Sequence, residues 1–71
     1  MKYLVVIEKG PASFGAYVPD LPGCASTGDT RREALANVRE AIACYLEGLR
    51  KIGRAAPRRR SLVQVVKVKA A

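Results

Sequence analysis

The sequence predicts an α+β domain of order β-β-β-α-β, in which one long helix packs on a small mixed sheet. Three observations carry that prediction. Residues 2–9, 13–18 and 62–69 are strand-like runs, residues 30–52 form a capped amphipathic stretch, and residues 19–24 form a proline-bounded corner. The chain of 71 residues is read as a single domain over 1–71. A domain of this size buries only about 60% of its unfolded surface, so self-association as a dimer or tetramer is expected.

The first run, KYLVVIEK, places Tyr3, Val5 and Ile7 on one face and Leu4 and Val6 on the other, so both faces are at least partly covered. A Lys9-Gly10-Pro11-Ala12 turn leads into SFGAYV, where Phe14, Ala16 and Val18 alternate against Gly15 and Tyr17. The two runs form a hairpin. Pro19-Asp20-Leu21-Pro22-Gly23 cannot continue a central ladder, because each proline removes a donor and restrains the residue before it. Cys24 to Thr27 suffices for a short returning strand, and Gly28-Asp29 closes it. Gly23 and Gly28 are expected to supply backbone conformations that other residues resist.

Thr30-Arg31-Arg32-Glu33 fits a capping box, with the Thr30 hydroxyl accepting from the Glu33 amide and the Glu33 carboxylate reaching back to the Thr30 amide. Leu35, Val38, Ile42, Tyr45, Leu49 and Ile52 then recur in steps of three and four, and Ala34, Ala41 and Leu46 widen the stripe enough to lie on a sheet. Lys51, Gly53 and Arg54 suit the C-terminal end, where cations favour the helix dipole and glycine takes the left-handed cap. Glu47 and Lys51 form an i, i+4 pair. After a linker over 55–61, LVQVVKVK alternates Val63 and Val65 against Leu62, Val66 and Val68 as a last strand. The helix before it allows a crossover, so that strand docks parallel.

The balance of 13 Lys and Arg against 6 Asp and Glu gives a net charge of +7 and invites an acidic partner. The basicity is local, because no acid follows Glu47 while Arg54, Arg58, Arg59, Arg60, Lys67 and Lys69 do. The opening MKYLVVIEKG carries too short an apolar run for a signal peptide or membrane span. A soluble, cytoplasmic protein is expected, with Cys24 and Cys44 as free thiols.

Catalytic chemistry finds little support. Histidine is absent, which removes the commonest general base and metal ligand. Two cysteines twenty residues apart do not complete a tetrahedral site. Glu33, Glu40 and Glu47 recur at seven-residue spacing, as on a solvated helix face. No cofactor or metal and no enzymatic activity are expected.

The segment Phe14 to Leu49, FGAYVPDLPGCASTGDTRREALANVREAIACYLEGL, strongly resembles the HicB-type antitoxin domain. In that pattern an aromatic-Gly-aromatic strand leads through PDLPGC and a TxGD turn into a helix reading EALxNxxEAIxxYLE. The landmarks here are Phe14, Gly15 and Tyr17, then Pro19 to Cys24, then Thr27, Gly28 and Asp29. The helix adds Glu33, Ala34, Leu35, Asn37, Glu40, Ala41, Ile42, Tyr45, Leu46 and Glu47. The resemblance implies a degenerate ribonuclease H-like fold lacking that fold's catalytic carboxylates. It also implies a function, in which such domains bind a small ribonuclease toxin, HicA, and block its catalytic histidine so that mRNA is spared.

Two features depart from the pattern. Family members commonly carry a helix-turn-helix or ribbon-helix-helix segment after the last strand, whereas this chain stops at Ala71. A short stand-alone form is therefore expected, without a C-terminal DNA-binding domain or direct operator binding. HicA toxins also tend to be basic, so a +7 chain would have to meet one through local acids such as Glu8, Asp20, Asp29 or the helix glutamates.

The expected function is that of an antitoxin inhibiting a HicA-like ribonuclease, with Asp20, Leu21, Pro22, Gly23, Cys24 and Asp29 as candidate contacts. The alternative is a basic nucleic-acid-binding accessory working through Arg58, Arg59 and Arg60, or an orphan structural oligomer without a toxin partner.

Overall fold

The computed structural model describes residues 1–70. Its order is β1 (Val6–Lys9), β2 (Phe14–Tyr17), β3 (Ala25–Gly28) and α1 (Arg31–Lys51). The α+β class and the β-β-β-α order agree with the sequence pattern. The three strands form one antiparallel sheet in the order β1-β2-β3.

β1 is shorter than its apolar run because its neighbour stops. The ladder ends at Val6 opposite Tyr17. Beyond Tyr17 the Val18 amide turns away to the Cys24 carbonyl at 3.1 Å, and Pro19 has no amide to offer. On the face toward the helix, Ile7 lies opposite Ala16, and Ala16 opposite Ser26. Val6 and Tyr17 pair on the outer face, where Tyr17 is exposed.

The core comprises Ala16, Val18, Leu21, Cys24, Ala34 and Val38, flanked by Tyr3, Val5, Ile7, Phe14 and the helix residues Ala41, Ile42, Tyr45 and Leu46. Leu21 and Val38 are wholly buried, and each such side chain contributes roughly 1.5–3 kcal/mol of burial free energy. The helix lies mainly over β3 and β2 and only lightly over β1. Its 21 residues extend about 31 Å, against roughly 13 Å for a four-residue strand. The end of the apolar stripe therefore overhangs the sheet, and Ile52 is exposed.

Both helix ends are built by local rules. Thr30 is the N-cap, and its hydroxyl accepts from the Glu33 amide at 3.0 Å. The returning bond differs from the capping-box expectation, since the Glu33 carboxylate takes the Asp29 amide, at 3.3 Å, rather than that of Thr30. At the other end Gly53, at φ 74°, donates to Arg50 O at 3.1 Å, and Arg54 donates to Leu49 O at 2.9 Å. These two bonds define a Schellman cap. Glu47 pairs with Arg50 one turn on, at 2.6 Å, rather than with Lys51.

Gly28 serves the fold by close approach rather than by unusual dihedrals. A Cβ there would stand 2.4 Å from the Ala34 amide nitrogen, so only glycine lets β3 meet the first turn of the helix. The Asn37 side chain reinforces this junction by donating to the Thr27 carbonyl at 2.8 Å.

The expected fourth strand and the mixed sheet do not form in the single chain. Residues 62–70 are exposed and join no ladder, and the helix is followed instead by a segment tied to the sheet end through Pro57, Arg60 and Ser61. The Tyr3 hydroxyl donates to the Pro57 carbonyl, and the chain then crosses the end of the sheet to Asp20, beyond β2. The segment continues outward as an arm. The Cα radius of gyration of 14.4 Å exceeds the roughly 11 Å expected of a compact chain this long.

Candidate functional site

The corner between β2 and β3 is a closed loop of hydrogen bonds. Leu21 donates to Val18 O at 3.1 Å, Cys24 donates to Leu21 O at 3.0 Å, and Val18 donates to Cys24 O at 3.1 Å. Gly23, at φ 82°, makes the reversal. This winding sends the Leu21 and Cys24 side chains into the core and leaves Pro22 and Gly23 exposed. Burial pushes the Cys24 thiol up, which disfavours the reactive thiolate. Cys44 is exposed, and both thiols are free.

Asp20 has a task that local spacing does not reveal. Its Oδ2 accepts from the backbone amides of Arg60 and Ser61, each at 3.1 Å, and its Oδ1 accepts from the Ser61 hydroxyl at 3.0 Å. The Ser61 amide is the main reason that the Asp20 carboxyl lies below its ordinary value. The partners are 40 and 41 residues away in sequence, beyond the reach of any helix or turn pattern. With Tyr3 and Pro57, Asp20 fastens the C-terminal third to the sheet end.

The six candidate contacts do not form one cluster. Asp29 lies past the far end of β3 from the corner, roughly 17 Å from Cys24 at about 3.3 Å per extended residue. Asp29 is exposed at the helix entrance, and its amide donates to Glu33. Pro22, Gly23 and Asp29 therefore present themselves at the two ends of β3. Arg58, Arg59 and Arg60 are exposed, and the Arg60 amide is engaged by Asp20.

Between the residues that precede β1 and the helix runs a groove of about 620 Å³ that the sequence pattern did not reveal. Met1, Lys2, Tyr3 and Val5 line it from the N-terminal run, Leu35, Val38, Arg39 and Ile42 from the helix, and Arg59 from the C-terminal segment. It lies where the helix passes the N-terminal residues, beside the part of the sheet that the helix covers most lightly. Among the described residues, no group of three or more His, Cys, Asp or Glu side chains gathers around a metal-sized space. No helix among them is long and apolar enough to cross a membrane.

The fold is a small α+β domain with a hydrogen-bonded corner, a free β3 edge and an apolar groove. Its relatives make the assignment specific. The family described as HicB-like antitoxin of bacterial toxin-antitoxin system matches residues 3–70, and the chain belongs to that family. A UPF0150 protein of Thermoplasma acidophilum is 46% identical over 59 residues, covering 82% of this chain and 86% of the relative. A 14.9 kDa protein of Haemophilus phage HP1 is 47% identical over 49 residues, covering 69% of this chain and 37% of that protein.

Among solved structures, the N-terminal domain of Burkholderia pseudomallei antitoxin HicB superposes with a TM-score of 0.73 at 34% identity, covering 82% of this chain and 69% of that one. A chain of the HicA3 and HicB3 toxin-antitoxin complex superposes with a TM-score of 0.66 at 34% identity, covering 78% of this chain and 64% of that one.

Proposed function

We propose that this protein is an antitoxin that binds a HicA-like mRNA-cleaving ribonuclease and inhibits it by occupancy rather than by chemistry of its own. The observation that carries this reading is the family match across nearly the whole chain. It is supported by the structural likeness to a chain from a toxin-antitoxin complex. The toxin would lie along β3, touching Pro22 and Gly23 at one end and Asp29 at the other. Among the described residues the Glu8, Asp29 and Glu40 carboxylates make no hydrogen bond or ion pair, so they are available to a basic partner. Asp20 is engaged by its own chain, and Leu21 and Cys24 support the corner from inside. We place the protein in the cytoplasm, where mRNA is found, and as a homo-oligomer.

The test is co-expression with the product of a short reading frame adjacent to its gene. The expected result is a complex that survives affinity purification and restores growth to cells making the toxin. Asp29→Arg or Pro22→Glu should weaken that complex at least tenfold while leaving the helical signal unchanged. Undiminished toxicity in the presence of folded protein would overturn the reading.

A further inference from the structure

The run that leads into β1 has strand composition and no strand beside it. β1 has a neighbour on one side only, and among the described residues no backbone hydrogen bond reaches residues 1–5. The groove between this run and the helix is apolar on both flanks, with Tyr3 and Val5 on one and Leu35, Val38 and Ile42 on the other. Leu35 is 37% exposed although it belongs to the apolar stripe of the helix. The charged lining is all of one sign: Lys2, Arg39 and Arg59 contribute to it, and no Asp or Glu does. Among the described residues none of these three cations is ion-paired.

We propose that the groove receives an extended segment of a partner protein in which apolar residues alternate with Asp or Glu. Laid along the N-terminal run, such a segment turns every second side chain toward the helix, while its main chain pairs with backbone that has no ladder. Met1 to Val5 spans roughly 13 Å at about 3.3 Å per extended residue, so the site takes about four residues of the partner. Charge decides the occupant. The chain's own residues 62–70 carry Lys67 and Lys69 and no acid, so neither they nor their counterparts in a second copy complement a cationic groove. Arg59 reaches the groove because the chain is tied on both sides of it, at Pro57 by the Tyr3 hydroxyl and at the Arg60 amide by Asp20. Asp20 feels the charge of Arg59, but its oxygens are taken by Arg60 and Ser61. The groove adjoins the β1 side of the sheet, across β2 from β3. An acidic segment seated there leaves the surface proposed for the toxin free.

The test is fluorescence anisotropy of a labelled peptide, acetyl-Glu-Val-Glu-Leu-Glu-Val-amide, titrated with the full chain. Saturable micromolar binding is expected, weakened roughly tenfold or more by Arg39→Glu combined with Arg59→Glu. Leu35→Glu should weaken it as well. All three positions are exposed, so the helical circular dichroism should stay unaltered. Hydrogen exchange gives the location: the amides of residues 2–5 should exchange freely in the free chain and gain protection when the peptide is added. Absence of saturable binding, equal binding of acetyl-Lys-Val-Lys-Leu-Lys-Val-amide, or undiminished binding by the double arginine variant would overturn the proposal. Decanoate binding as tightly as the peptide would assign the groove to a small amphiphilic anion instead. Protection of residues 2–5 in the free chain would show its own C-terminal segment or a second copy already seated there, and either result would also overturn it.

Discussion

Gly28 shows how a single residue is chosen by a contact that its neighbours in sequence do not reveal. The sequence suggested a conformational need, but the structure supplies a steric one, with the Ala34 amide nitrogen 2.4 Å from where a Cβ would stand. Gly28→Ala is therefore expected to destabilise the fold by about 1–3 kcal/mol, as crowding of packed sites does. Gly48 lies on the helix with nothing within 4 Å of its would-be Cβ. Gly48→Ala should stabilise by about 0.5–1 kcal/mol. Thermal unfolding of the two variants checks this pair, with melting temperatures moving in opposite directions. Gly53 was legible beforehand because its left-handed cap is set by the last helical turn alone. Asp20 was not, since its partners lie 40 and 41 residues along the chain.

The elements differ in legibility according to whether they complete themselves. The helix does so: its cap residue, apolar period and terminal glycine lie in one segment, and the structure agrees with the cap and the glycine and with the middle of the stripe, while Leu35 and Ile52 at its ends are exposed. Thr30→Ala should lower stability by about 1 kcal/mol through loss of the bond to the Glu33 amide, measurable by denaturant titration followed at the helical band. Strands depend on a neighbour. β1 ends at Val6 because its partner turns away at Val18, although Tyr3, Leu4 and Val5 carry strand character. The segment 62–69 has the composition of a strand, but composition does not specify which edge receives it. The groove escaped sequence reading for the same reason, since it is bounded by the N-terminal residues and by a helix more than thirty positions later.

For the whole molecule, the clamp at Asp20 fastens Arg60 and Ser61 to one end of the sheet. Its carboxyl is held below the ordinary 3.8, chiefly by the Ser61 amide. A depressed folded-state value means that the clamp contributes fully above pH 3.8 and is lost as the pH falls through the lower value. The Arg60 and Ser61 amides should therefore be protected from hydrogen exchange above that pH and lose protection below it. Asp20→Asn should abolish that pH dependence, an outcome read directly by two-dimensional NMR.

The placement of positive charge around the arm also bears on solubility. Five of the seven residues from Leu62 to Val68 are apolar, and Arg58, Arg59 and Arg60 precede them while Lys67 and Lys69 mark the other end. An exposed segment of this kind is a template for open-ended stacking between many chains. Like charges at both ends make each added layer of such a stack costlier, in the manner of gatekeeper residues. A surplus that first invites a polyanionic partner thus also acts as colloidal protection, opposing growth of a fibre.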